Sequence, residues 1–312
     1  MNCGSVAIRR LLALCAAASV AGVAAVAARG DARPEVLRAA ANPAGIVFAH
    51  DHAGNGNGNG NGKKPGGGSA SSPNLSWHGG TVMSSGAAVQ AIFWGSSWSS
   101  APADKISGLD SFYAGIGGSS YLGTTREYNG GAGTANVGTS VTYAGHVTDP
   151  SAASSQPPST GAVLAVVARN VTSPVSNGYY PVYSDQPRGT AGYCAWHSWG
   201  YIGTTLVQFA FFFKLDGDLG CNPYSTVAGQ TEGLAALANV SGHELSEALT
   251  DPHGDAWYDQ QGSENADKCA WTFGHSYLTF TNGTQWRVQG NWSNTAYNSA
   301  SGYANGGCID GG

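Results

Sequence analysis

Over 231–249, apolar residues return at steps of three and four: Leu234, Leu237, Ala238, Leu245, Ala248 and Leu249. That spacing predicts a helix, and Pro252 closes it. Strands are expected around it. The runs 87–94 (AAVQAIFW) and 206–214 (LVQFAFFFK) read as buried strands, 139–147 alternates as a strand should, and 178–183 is a further strand. Two more helices are expected, over 105–116, where Ile106, Leu109 and Phe112 share a side, and over 160–171. Beyond Lys268 the chain turns to short Trp/Tyr/Thr strands with Gly/Asn turns, and Asn282-Gly283 signals a hairpin. The resulting expectation is one α+β domain over 76–312, with a mixed β-sheet and disulfides to stabilise it.

The ends of the chain bear on compartment. Residues 1–30 read as an export signal: Arg9 and Arg10 precede an uncharged Ala/Leu/Val run, and Ala25-Val26-Ala27 suits cleavage. The run is too weakly hydrophobic to favour a retained anchor, so no membrane association is expected after cleavage. Residues 31–75 show no fold signature and read as a linker or pro-segment. Within them 54–68 (GNGNGNGNGKKPGGG) is a low-complexity tether. Cys3 and Cys15 go with the signal, leaving Cys194, Cys221, Cys269 and Cys308. In an exported chain four thiols make two disulfides, with three pairings open. The sequence-local one, Cys194 with Cys221 and Cys269 with Cys308, is favoured over a four-thiolate zinc site because no CxxC pair occurs.

Charge is scarce. Asp, Glu, Lys and Arg make up 11% of the chain, against about 25% in ordinary soluble domains. With 14 Lys+Arg and a net charge of -5, no basic stripe exists for a nucleic-acid partner. Of 19 acidic residues, Glu244, Glu247, Asp251, Asp255, Asp259, Glu264 and Asp267 fall in one short stretch, and Lys268 is the one cation beside them in sequence. Carboxylates so crowded repel one another unless neutralised.

The helix carries His243-Glu244-Leu245-Ser246-Glu247. His243 and Glu247, four apart, leave one helical face a turn apart, the spacing with which a helix chelates a metal. Glu244 lies beside that face as candidate general base. This is the zincin HExxH pattern with Glu247 in place of the second His. Zinc is the expected ion, and the added carboxylate also suits manganese or calcium. Glu264 and Asp267 are the favoured additional ligands. His253 stands at a metzincin-like step but follows Pro252, and Asp251 reads as a helix stop. A solvated acidic loop is the competing explanation. Other chemistries are weaker: Trp196-His197-Ser198-Trp199-Gly200 lacks the first Gly of a serine-hydrolase elbow, and a disulfide accounts for Cys194 better than a thiol nucleophile paired with His197.

The ordered blocks Gly192-Tyr193-Cys194-Ala195-Trp196-His197-Ser198, then Cys221, then 242–252 (GHELSEALTDP), Trp257-Tyr258-Asp259 and 264–271 (ENADKCAW) resemble bacterial relatives of the EXORDIUM or phosphate-induced protein group. Ala91-Ile92-Phe93-Trp94-Gly95 resembles that group's early strand. The resemblance covers about 76–312 and implies an extracellular, cell-wall-associated protein. The residues themselves lead to a secreted metallopeptidase-like hydrolase, with Glu244 catalytic, His243, Glu247, Glu264 and Asp267 as metal ligands, and a peptide or cell-wall substrate as partner. A non-catalytic extracellular protein with a structural ion is the alternative, and a carbohydrate-binding surface built from the Trp and Tyr residues is a third.

Overall fold

The computed structural model describes residues 36–50, 73–100 and 104–312. The expected export signal and the tether 54–68 lie outside the described residues. In chain order the elements are β1 (Leu37–Ala39), β2 (Gly45–Phe48), β3 (Ser76–Trp77), β4 (Ala87–Trp94), α1 (Asp104–Ile116), α2 (Ser120–Gly123), β5 (Val141–Asp149), α3 (Thr160–Asn170) and β6 (Gly178–Pro187). There follow β7 (Tyr193–Ile202), β8 (Thr205–Lys214), α4 (Glu232–Thr250), β9 (Trp257–Tyr258), β10 (Leu278–Thr279), β11 (Gln285–Trp286), β12 (Asn291–Trp292), α5 (Asn294–Asn298) and β13 (Cys308–Ile309). The fold is α+β, as expected.

One seven-stranded mixed sheet organises the chain in the order β1-β7-β8-β6-β4-β5, with β2 beside β1 on the outer edge of β7. The pairings β5-β4-β6-β8 are parallel, and β7 returns antiparallel to β8 through a tight turn. From β4 the chain steps to one neighbour through α1 and then back past it through α3. Right-handed crossovers in opposite directions place two helices on opposite faces. Accordingly α1 packs with α4, while α3 lies against β1, β6 and β8.

The core is aromatic. Phe93, Phe209, Phe211, Phe212, Tyr183 and Trp196 are fully buried, and Tyr183 stacks on both Phe93 and Phe212. Trp94, Trp98, Trp286 and Trp292 are buried as well, so these rings serve the core. Two disulfides, Cys194–Cys221 and Cys269–Cys308, close loops of 27 and 39 residues in the sequence-local pairing. Loops of that length are worth roughly 3.5–4 kcal/mol each in the chain-entropy view.

One expectation changes. The stretch 31–75 reads as a linker or pro-segment, yet β1 and β2 lie within it and extend the sheet. Leu37 pairs with Ile202, and Gly45 and Val47 pair with His197 and Ala195. Three- and four-residue strands between Pro, Asn and Gly carry too little periodicity to be read. Backbone pairing with β7 is what defines them.

Candidate metal centre

Helix α4 starts with Thr231, whose side chain accepts from Leu234 N at 3.2 Å, and ends at Asp251, whose Oδ1 accepts from Asp255 N and Ala256 N at 2.7 Å. Such an N-cap contributes about 1 kcal/mol. An amphipathic helix ordinarily leaves its polar face in water. Here every residue from Gly233 to Thr250 is buried. The polar face is covered by groups from the C-terminal third of the chain and from the sheet. Asn239 bonds Gln289, Ser241 bonds the Tyr183 hydroxyl, and Ser246 accepts from Asn291.

At the centre of that face the predicted residues meet. His243 Nε2 lies 3.0 Å from Glu247 Oε1 and 3.5 Å from Asp267 Oδ1, and Asp267 N donates to the same Glu247 oxygen at 3.0 Å. The other Glu247 oxygen, Oε2, is 3.7 Å from His197 Nε2, which is 3.2 Å from Glu264 Oε2. Donor atoms around one tetrahedral ion with bonds of ~2.1 Å stand about 3.4 Å apart, so these separations suit shared coordination. Two groups, His197/Glu244/Glu247 and His243/Glu247/Asp267, could each hold a metal ion, and Glu247 belongs to both.

His197 is a donor that sequence alone does not reveal. On β7, between Trp196 and Trp199, it reads as core. Strand alternation puts it on the α4 face, and a fully buried imidazole in an apolar strand needs a polar partner. His253 does not join the cluster; it packs on Trp199 and contacts Gln208. Asp251 caps α4 as read, and its side chain also meets Glu264. The acidic run is not one cluster: Asp255 is exposed, and Lys268 pairs with Asp259 at 2.6 Å, away from the central acids. Nor is it a solvated loop, since Glu244, Glu247, Asp251 and Glu264 are at most 2% exposed.

The electrostatics are those of a site short of positive charge. Among the described residues, the ion pairs of Lys and Arg go to other acids: Asp104, Asp149, Asp216, Asp218 and Asp259. Burial holds the Glu244 carboxyl well above its usual range; His243 pulls it down, and Glu247 and Asp267 push it further up. Glu264 is raised likewise by burial and then by its acidic neighbours. Burial would lower His243, but Glu247, Asp267 and Glu244 outweigh it and hold the imidazolium well above the usual value. His197 goes the other way, lowered by burial to about 4 despite Glu247, so at neutral pH its ring is uncharged, the form that ligates metals. Three donor atoms here have no hydrogen-bond partner: Glu244 Oε2, Glu247 Oε2 and His197 Nδ1. Buried polar atoms are ordinarily satisfied, and unpaired carboxylates are the costliest exceptions.

Gly45 completes the geometry. A methyl group on its Cα would fall among Glu264 Oε2, His197 Nε2 and Glu247 Oε2, far inside van der Waals contact with all three. Only a residue without a side chain lets the backbone of β2 pass this close to the three donor atoms. Around His243, the Gln289 amide is oriented by Trp271 N donating to its Oε1 at 3.2 Å and by its Nε2 donating to Ala266 O at 3.3 Å. Its side chain meets His243 Nδ1, while Nε2 of that ring faces Glu247.

Compared with protein-family models, curated proteins and solved structures, the chain has no match. Its chemistry has to be argued from its own residues.

Proposed function

We propose that this is an exported protein built around a buried divalent-cation centre, and that the centre is a zincin-like hydrolytic site held closed. The observation that carries the reading is the convergence of His197 Nε2, Glu247 Oε2 and Glu264 Oε2 on the buried space beside Gly45, in an acidic cluster where Glu244 Oε2 and Glu247 Oε2 have no hydrogen-bond partner. In this reading the ion is held by His197, Glu247 and Glu264, and His243 and Asp267 brace the other oxygen of Glu247. One neutral imidazole with two carboxylates suits zinc, with manganese the next fit. The two disulfides suit an oxidising compartment, in keeping with export. No helix among the described residues is long and apolar enough to cross a membrane.

The hydrolytic part rests on Glu244. It lies one residue from His243 on α4, and its carboxylate belongs to the donor group of His197 and Glu247. A divalent cation there would polarise a peptide carbonyl and activate water near neutral pH. Glu244 would take the proton of the attacking water and return it to the leaving amine. Glu244 is also fully buried, and its Oε1 accepts from Val47 N at 3.3 Å, so β2 stands where a substrate would have to enter. A structural ion in a non-catalytic extracellular protein of the EXORDIUM type is the second reading, and this closure is the observation that favours it.

Metal analysis of the purified protein, with peptide-cleavage assays of wild type and Glu244→Gln, tests both parts. A stoichiometric divalent cation is expected, together with cleavage that Glu244→Gln abolishes without loss of the ion. Absence of the ion would overturn the centre. Bound ion with cleavage indifferent to Glu244 would overturn the hydrolytic role.

A further inference from the structure

Residues 44–48 do something a structural edge strand need not do: they cross the metal centre. We infer that they occupy, as a built-in pseudo-substrate, the cleft in which this protein receives an extended polypeptide with glycine over the centre. The inference rests on the cation-centre reading above and adds the substrate class to it.

Three observations carry it. Without residues 37–48, β7 would be a free sheet edge, the template on which extended peptides add as an extra strand. The segment uses that edge antiparallel: Ala44 N donates to His197 O at 2.9 Å, Ala49 N donates to Gly192 O at 3.1 Å, and Gly45 sits opposite His197. Its other side is gripped by side chains from the far end of the sequence. Val47 N donates to Glu244, and Trp271 Nε1 donates to Phe48 O at 2.9 Å. A backbone held between a sheet edge and the candidate general base is posed as a peptide substrate would be.

The side-chain pattern supplies the specificity. Position 45 admits only glycine, because a Cβ would collide with three donor atoms. Val47 is completely buried on the same face, whereas Ile46 and Phe48 are half-buried on the other. The cleft therefore selects glycine over the centre and a branched aliphatic residue two positions on. Covalently, the segment is separate from the rest of the sheet. Both disulfides lie within 194–308, and 22 residues in sequence, 51–72, stand between it and the next described stretch.

The test is strand exchange. A recognition sequence for a site-specific protease is placed within 55–62 of the full chain, and the purified protein is cut. It is then challenged with an excess of a fluorescent peptide spanning 43–50 (PAGIVFAH). The cut chain is expected to release its N-terminal fragment and take up the peptide, while the uncut chain takes up none. A peptide with alanine at the position of Gly45 is expected to bind at least ~10-fold more weakly. Three results would overturn the inference: a fragment that stays bound against excess peptide, equal binding of the alanine peptide, or loss of near-ultraviolet circular dichroism when the fragment leaves. The last would make the strand part of the core. Cation content in the same samples separates the two claims. Exchange without a bound ion would retain the cleft and remove the centre, whereas a bound ion without exchange would retain the centre and remove the cleft.

Discussion

Two buried sets of carboxylates in this molecule are treated in opposite ways. Asp149, at the end of β5, is ringed by donors: Arg169 Nε at 2.5 Å, Asn170 Nδ2 at 2.7 Å and Ser151 N at 2.9 Å. Burial pushes its carboxyl up, but these hydrogen bonds outweigh burial and hold it at about 2. Around Glu247 the protein gathers more acid and supplies less: Glu244, Glu264 and Asp251 lie close by, and Glu244 and Glu247 each keep an oxygen without a partner. The chain can satisfy a buried acid when it provides Arg and Asn at the right reach. At α4 no Arg or Lys is paired with these acids among the described residues, which is what motivates the proposed cation. In the proposed reading, a cation from solution would supply what Arg169 supplies at Asp149.

The comparison is broken most sharply at Glu247. Glu247→Ala removes the donor common to both groups and is expected to weaken cation binding by more than ~100-fold, beyond the 10–100-fold typical of lost supporting residues. Isothermal titration calorimetry with zinc or manganese reads this directly. Gly45→Ala comes next. The added methyl collides with Glu264, His197 and Glu247 and pushes the proposed ligands apart, so cation affinity should drop steeply, and displacement of β2 should cost a further ~1–3 kcal/mol of stability, read by urea denaturation with and without chelator. Gln289→Leu leaves every proposed ligand in place but releases His243, and a loss of about 10-fold in cation affinity is expected.

The smallest effect belongs to the satisfied acid. Asp149→Asn should cost about 1–2 kcal/mol, with no change in cation binding. Its pH dependence has a definite sign. The folded carboxyl is depressed to about 2, and an unfolded Asp titrates near ~3.9. Its contribution is therefore complete above about pH 4 and lost as the pH falls through about 2. Wild-type stability should fall across that window, and the Asn variant should show a flatter acid limb.

How much of this was legible in the sequence follows from where each signal resides. Helix α4 is legible because Pro252 and the leucine spacing are local, and β8 is legible through its aromatic run. The pairing of Cys194 with Cys221 and of Cys269 with Cys308 followed from short loops. His243, Glu247, Glu264 and Asp267 were readable as one neighbourhood because helical spacing and a short loop bring them together. His197, Gly45 and Gln289 were not. Each reaches the centre only through sheet pairing or long-range packing, and a His between tryptophans or a Gly before Ile-Val-Phe has no local mark of a site. The buried polar face of α4 was hidden for the same reason, since periodicity tells which residues share a face and not what later covers it.

The most direct measurement is cation content paired with thermal stability. The purified chain is analysed for bound metals by mass spectrometry, and its melting temperature is followed with and without a strong chelator. The account predicts a stoichiometric divalent cation, a melting temperature that falls by several degrees on chelation and recovers when the ion is restored, and neither ion nor shift in Glu247→Ala. A wild-type chain that carries no divalent cation and melts identically with and without chelator would contradict it.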